Sequence, residues 1–236
     1  MSSVLVVLSG ARFWTQTNGH QKPTGYWAEE FATPYRLLTE AGVDVTVATP
    51  GGRAPVADEL SLTAEQGGDQ FRDYLAGLGR VLTHPARLED VDPADYDAVL
   101  IPGGHGPMQD LAVNEDIARV LAAMLPDQSK IVASLCHGLA AFLPAADADG
   151  NWLFRGRRMV SFIDEEETMT GLAANAPWLI ETRLRQAGAK FEHGAPWSSH
   201  VVVDGNLITG QNPASAEAAA RALIAALQSR GATVPA

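Results

Sequence analysis

An α/β fold with a mainly parallel, doubly wound sheet is the architecture this sequence predicts, and three observations carry it. Short strand-like runs rich in Val, Ile, Leu and Ala recur at residues 4–8, 43–48, 98–101 and 131–135, the first of them continuously apolar. Runs of that length and character read as strands buried on both faces. Stretches with helical apolar spacing separate them. Gly- and Pro-bearing breaks follow three of the runs: Ser9-Gly10, Thr49-Pro50-Gly51-Gly52 and Pro102-Gly103-Gly104. Strand and helix alternating in this way build parallel sheets.

The elements follow in order. Residues 4–8 form the first strand, and a polar loop, ARFWTQTNGHQKPTGY, comes after it. Residues 27–41 form a helix closed by Gly42. Phe31, Tyr35 and Leu38 share its inner face, and Pro34 falls in the first two turns, where it does least damage. Residues 43–48 are the next strand. Residues 53–92 break the rhythm and carry one amphipathic stretch, 70–78. They read as a cap-like insertion in a single domain spanning 1–236, because about forty residues rarely sustain a core alone. The alternation resumes with a strand at 98–101, a helix at 114–125 and a strand at 131–135. A helix starts at Cys136 or His137, and 158–162 is a further strand. Residues 177–187 form a helix closed by Gly188. Strands at 201–203 and 207–209 flank Asp204-Gly205, a hairpin dipeptide. In the last helix, Asn212 is the expected N-cap, Pro213 the first residue, and Leu223 and Leu227 share a face.

Composition excludes several classes of function. Of the 236 residues, 46% are apolar and 19% charged, which supports a packed core. A net charge of −11 with no Lys/Arg run argues against nucleic-acid binding. A single cysteine forms no internal disulfide and no Cys-rich zinc site, and a reducing compartment suits it. No HExxH is present, and His20, His84, His193 and His200 are scattered, so no metal is expected. The N-terminal MSSVLVVLSG has no basic segment and only a short apolar run, and nothing approaches the ~20 apolar residues of a membrane span. The expected location is the cytoplasm.

In parallel sheets ligands bind beyond the carboxyl ends of the strands. Three loops should meet there: the one after Leu8, PGGHG (residues 102–106) and SLCHG (residues 134–138). Cys136 stands where a strand turns into a helix, the placement of a nucleophile elbow. Nearby helix N–H groups would lower its pKa. The bland alternative is a buried, inert thiol. His137 is either an acid–base group or a locally packed histidine; as a sequence neighbour it need not touch Cys136. The PGGHG glycines allow close backbone approach to an oxyanion, while a phosphate cradle lacks its Lys. Glu29 and Glu30 read either as a solvated first helical turn or as one carboxyl aimed at Cys136. In the run 164–167 most members must be solvated, and one could orient His137.

Together SLCHG, PGGHG, TGYWAEEFATPY, LITGQNPASA and the Pro196-Trp197 pair resemble the ThiJ/PfpI superfamily. They look most like its glyoxalase III and chaperone-like, class I glutamine amidotransferase-like branch. The resemblance covers essentially the whole chain. It implies a flavodoxin-like three-layer sandwich, a homodimer and no metal or organic cofactor. It implies Cys136 as nucleophile with His137 beside it, Glu30 as the carboxyl at the thiol, and Gly104 and His105 on the oxyanion side. Glu165 is the first choice for the third acidic residue and Asp164 the second. The implied reaction turns a small reactive carbonyl, methylglyoxal, and water into D-lactate without glutathione, through a cysteine-bound hemithioacetal. A chaperone or redox sensor, a deglycase, and a peptidase or amidase are the alternatives within the superfamily.

Overall fold

Seven strands form one sheet in the computed structural model, which describes residues 2–231; Met1 and 232–236, the ends of the expected domain, lie outside them. The strands are β1 (Ser3–Val7), β2 (Asp44–Thr49), β3 (Ala86–Arg87), β4 (Ala98–Ile101), β5 (Ile131–Leu135), β6 (Val201–Asp204) and β7 (Leu207–Gly210). Their order is β6-β7-β5-β4-β1-β2-β3, and every neighbouring pair is parallel except β6/β7. Helices α1 (Ala28–Glu40), α2 (Asp69–Gly77), α3 (Glu115–Met124), α4 (Asp164–Met169), α5 (Ile180–Ala187) and α6 (Ala216–Gly231) accompany the sheet, with α1 packed on α6. This is a flavodoxin-like α/β fold.

Burial explains the strand sequences. Val4 through Leu8, and all of β4 and β5, are buried. A strand with both faces covered has no polar side to show, hence the largely apolar runs. Edge strand β6 differs: Val202 is buried and Val203 exposed. The β6/β7 turn is anchored by Asn206, whose Nδ2 donates to the carbonyls of Leu125, Asp127 and Lys130 at 2.9–3.2 Å.

Strand order reverses between β1 and β4. The first crossover runs from β1 through α1 to β2 on one side; β4, β5 and β7 follow on the other. A crevice opens at such a switch point, beyond the carboxyl ends of the strands. It receives the α1 N-terminus, the loop after β4 and the turn after β5.

Four elements differ from the sequence expectation. Of 158–162 only Arg158–Met159 is strand, pairing with Lys190–Phe191 in a separate ribbon. The Val160 N–H goes instead to the Thr209 hydroxyl, at 3.0 Å, which ends the ladder. Helix α5 starts at Ile180, three residues late. The 53–92 segment divides: Asp58 and Leu60 stand over the strand ends, while Ala86–Arg87 rejoins the main sheet as its edge. Asn212 makes no cap hydrogen bond with its side chain, which is engaged elsewhere; Asn114 does cap α3, accepting from the Ile117 N–H at 2.9 Å.

The turn after β5 fits because residue 138 is glycine. A Cβ there would lie 2.4 Å from the Ile101 carbonyl oxygen and 2.8 Å from that of Pro102. Gly138→Ala is expected to lower stability by about 1–3 kcal/mol, as overpacking does, read as a shifted urea midpoint. Gly77→Ala, where a Cβ meets nothing within 4 Å, should hold or raise that midpoint.

Candidate active site

Cys136 leaves the extended Leu135 with φ of 55°, in the left-handed region, which costs a non-glycine residue about 1–2 kcal/mol. The cost is borne by packing, since every residue from Cys136 to Phe142 is buried. This strained turn lifts Sγ above the ends of β4 and β5. It also places Sγ 3.3 Å from His137 Nδ1. The expectation that sequence neighbours need not touch assumed a continuous helix, and the left-handed residue breaks that assumption. The segment that follows is a 3₁₀ helix rather than an α-helix.

Hydrogen bonds tie the motifs together. The Trp27 N–H donates to the Gly103 carbonyl at 2.9 Å, and the Gly106 N–H to that of Gly25 at 3.1 Å. The segment around Tyr26 is held in turn by a bridge to Ala57. This lattice sets Glu30, in the first turn of α1, directly over the loop after β4, where its Oε2 accepts from the Gly103 N–H at 2.7 Å. Gly103 must be glycine here: a Cβ would stand 2.8 Å from the Cβ of Cys136 and 2.7 Å from Glu30 Oε2. Of the acidic pair, Glu29 is half-buried and Glu30 is 0% exposed. The solvated-turn reading therefore fails for Glu30.

Burial dominates the electrostatics. Loss of solvent pushes the Glu30 carboxyl up to about 8, against the pull of the Gly103 N–H. The group is thus mostly protonated at neutral pH. Because Oε2 accepts, the proton belongs on Oε1, which has no hydrogen-bond partner of its own. Oε1 and the thiol couple electrostatically without the geometry of a directed hydrogen bond. The Cys136 thiol is also raised, by burial first and by the Glu30 charge second; the His137 N–H works the other way. This reverses the expected lowering: a short 3₁₀ segment cannot offset removal from water. A protonated Glu30 removes the second-largest of the raising effects.

The acidic partner of His137 is Glu167, which corrects both residues expected from the sequence. His137 Nε2 lies 2.6 Å from Glu167 Oε2, and His105 Nε2 lies 3.0 Å from Oε1. Burial alone would raise the Glu167 carboxyl; the His137 charge and hydrogen bonds from both imidazoles outweigh it and hold the group well below the usual carboxylate range. His105 is lowered, chiefly by burial and then by His137, which favours its neutral form. Glu165 faces solvent. Asp164 is occupied at the start of α5, accepting from the Thr182 hydroxyl and, at 3.4 Å, from its N–H. A signal for Glu167 existed: Ile163 is buried at the helix entry, and its i+3 and i+4 neighbours on the same face are Glu166 and Glu167. Trp14, stacked on His105 at 4.6 Å, lay in a loop with no periodicity to reveal it.

Among the described residues, His105, His137 and Glu167 are the group with donor atoms close enough, within 4.8 Å, to hold a metal ion. Here each carboxylate oxygen is engaged by one imidazole, an arrangement suited to holding and passing protons. Cys136, Gly104, His105 and His137 line one cavity of about 340 Å³, closed by Trp27, Phe162 and Trp197.

A cysteine on a strained strand-to-turn elbow, backed by a His–Glu pair at the switch point of a parallel sheet, defines a class of α/β proteins with an elbow thiol. Residues 24–226 match the DJ-1/PfpI family, and the chain belongs to that family. It is 32% identical over 187 residues to the glutamine amidotransferase-like class 1 domain-containing protein 1 of Bos taurus, covering 79% of this chain and 82% of that one. It is 26% identical over 237 residues to the glyoxalase 3 of Candida albicans, covering 97% and 99%. The crystal structure of glyoxalase III from Candida albicans superposes with a TM-score of 0.82 at 25% identity, over 95% of this chain and 97% of that one. No helix of the described residues is long and apolar enough to cross a membrane.

The raised Glu30 carboxyl makes a stability prediction. The folded state keeps this proton up to about pH 8, whereas the unfolded chain loses it near pH 4.5. Over that window the folded state binds more protons, so stability falls as pH rises. Glu30→Gln should therefore match wild type near pH 4 and exceed it progressively, by on the order of 3–5 kcal/mol above pH 8. Denaturant titrations of both proteins at several pH values check this.

Proposed function

We propose that this chain is a glutathione-independent glyoxalase that converts methylglyoxal and water to D-lactate. The observation that carries the reading is the buried neutral carboxyl of Glu30 against a thiol that also touches His137, beneath an apolar cavity. A hydrolase needs a nucleophile and a base. An internal proton transfer between adjacent carbons needs, in addition, a group able to give and take a proton in a dry site, and Glu30 suits that task. The relative named glyoxalase 3 supports the same direction.

Each step has a residue to serve it. Sγ of Cys136 attacks the aldehyde carbon C1, forming a C–S bond, while its proton passes to His137 Nδ1. Glu167 stabilises the resulting imidazolium through Nε2. The Glu30 Oε1–H protonates the new oxyanion at C1, giving the hemithioacetal and leaving a carboxylate. That carboxylate takes the hydrogen from C1, producing an enediol-like species, and returns it to C2. His137 gives its proton to the C2 oxygen and takes the hydroxyl proton from C1. The product of this isomerisation is a lactoyl thioester. Water, deprotonated by the Glu30 carboxylate that this leaves, then attacks the thioester carbonyl; the C–S bond breaks, Sγ takes its proton from the His137 imidazolium, and lactate leaves with its acid proton passing to solvent. Gly104 and His105 line the oxyanion side. We further propose a cytoplasmic homodimer that needs no cofactor.

Lactate formed from methylglyoxal without glutathione, with D and L isomers assayed separately, tests the reading. D-lactate is expected from wild type and none above background from Cys136→Ala. Glu30→Gln and Glu167→Gln should lower kcat by roughly 10²–10⁴-fold and at least tenfold respectively. Undiminished turnover by Cys136→Ala would falsify the covalent scheme.

The pH profile makes a separate prediction. Because Glu30 must carry its proton into the first step, kcat/KM should fall as pH rises through about 8. A profile flat from pH 7 to 9.5 would remove Glu30 from the mechanism.

A further inference from the structure

We propose that Trp197, pinned by Glu166, is a specificity-determining wall that selects neutral carbonyl substrates bearing a bulky apolar substituent over three-carbon ones. This rests on the glyoxalase reading above and adds its substrate class.

The backbone at Trp197 is the first indication. Apart from Cys136, it is the one non-glycine residue with positive φ among the described residues, at 61°. The residue remains 44% exposed, so the strain is not repaid by burial in the core. Strained residues that serve no packing role cluster at ligand sites.

Glu166 is the second. It is 0% exposed. Its Oε1 accepts from the Trp197 N–H at 2.7 Å, from Asn212 Nδ2 at 2.7 Å and from Gln211 Nε2 at 3.2 Å. Its Oε2 accepts from the Ile163 N–H at 3.2 Å. One buried carboxyl thus binds four neutral donors from three chain segments, and the loop bearing Trp197 is one of them. A buried acceptor of this kind is costly unless fully satisfied, so the loop is held firmly. It explains why Asn212 is withheld from capping.

The cavity is the third. At about 340 Å³ it falls at the lower end of the ~300–1,000 Å³ range of pockets that accept drug-sized ligands. That is several times what methylglyoxal fills. Leu60, Leu172 and Phe162 join Trp197 around it, and the Phe162 and Trp197 rings meet edge to face at 5.5 Å. Phe162 in turn packs on His137 at 4.6 Å, so the wall runs from the reacting centre outward. Among the described residues lining the cavity, the one Lys or Arg is Lys22, and it is paired with Asp58 at 3.4 Å. An anionic substituent finds no free partner there, whereas an aryl group finds an aromatic face.

The test compares phenylglyoxal with methylglyoxal in wild type, Trp197→Ala and Glu166→Gln. Wild type should show the higher kcat/KM for phenylglyoxal. The ratio of the two kcat/KM values should drop about tenfold in Trp197→Ala, and in the same direction, through KM, in Glu166→Gln. A merely structural Glu166 would depress both substrates alike and leave the ratio unmoved. A wild-type preference for methylglyoxal, or an unchanged ratio in Trp197→Ala, overturns the proposal while leaving the glyoxalase reading intact. Binding supplies a readout that does not depend on turnover: NMR titration of Cys136→Ala with acetophenone and with acetone. If folded wild type processes neither dicarbonyl, the glyoxalase reading fails and this titration decides the wall. Acetophenone binding at least tenfold tighter than acetone, lost when Trp197→Ala is added, supports it; equal binding overturns it.

Discussion

The left-handed turn at Cys136 constrains everything around it. It needs the Gly103 backbone at van der Waals distance below the thiol and the Gly138 backbone against the end of β4. Those contacts close the site to water from beneath. Once it is dry, the Glu30 carboxyl beside the thiol is pushed toward its neutral form, and the thiol is raised with it. Geometry and protonation state are therefore one problem here, solved by packing.

Three glutamates are buried at the carboxyl end of a sheet in a chain of net charge −11, and each is accommodated differently. Glu30 stays protonated. Glu167 is held ionised between two imidazoles. Glu166 accepts four neutral hydrogen bonds. Adjacent residues 166 and 167 carry out different tasks because a helix turns by about 100° per residue. Glu166 then faces the loop of Trp197 and the segment 211–212, and Glu167 faces His105 and His137.

Rings connect these groups. Trp14, His105, His137, Phe162 and Trp197 follow one another at centroid distances of 4.3–5.5 Å. The series fixes both imidazoles by contact on their faces while Glu167 fixes them at their edges. A ring held on both counts keeps its nitrogen aimed at one partner, which proton transfer requires.

The sequence by itself determined most of the strands, most helices and the meeting of three loops, because period and glycine placement are local properties that burial stamps on the chain. It also brought Cys136, His137 and Gly104 to the strand ends, where they line one cavity, since an elbow and a glycine-rich loop have local signatures. Glu30 was open on its residues alone, because a first-turn glutamate reads the same whether it meets solvent or the Gly103 N–H 73 residues away. Only the tertiary structure decided that contact, the choice of Glu167 over Glu165 and Asp164, and the engagement of Asn212 by Glu166. Only it showed that the thiol is raised rather than lowered. The physical reason is common to all four: desolvation and long-range hydrogen bonds depend on which neighbours exclude water, and period or spacing along the chain narrows the candidates, as at Glu166 and Glu167, without deciding among them.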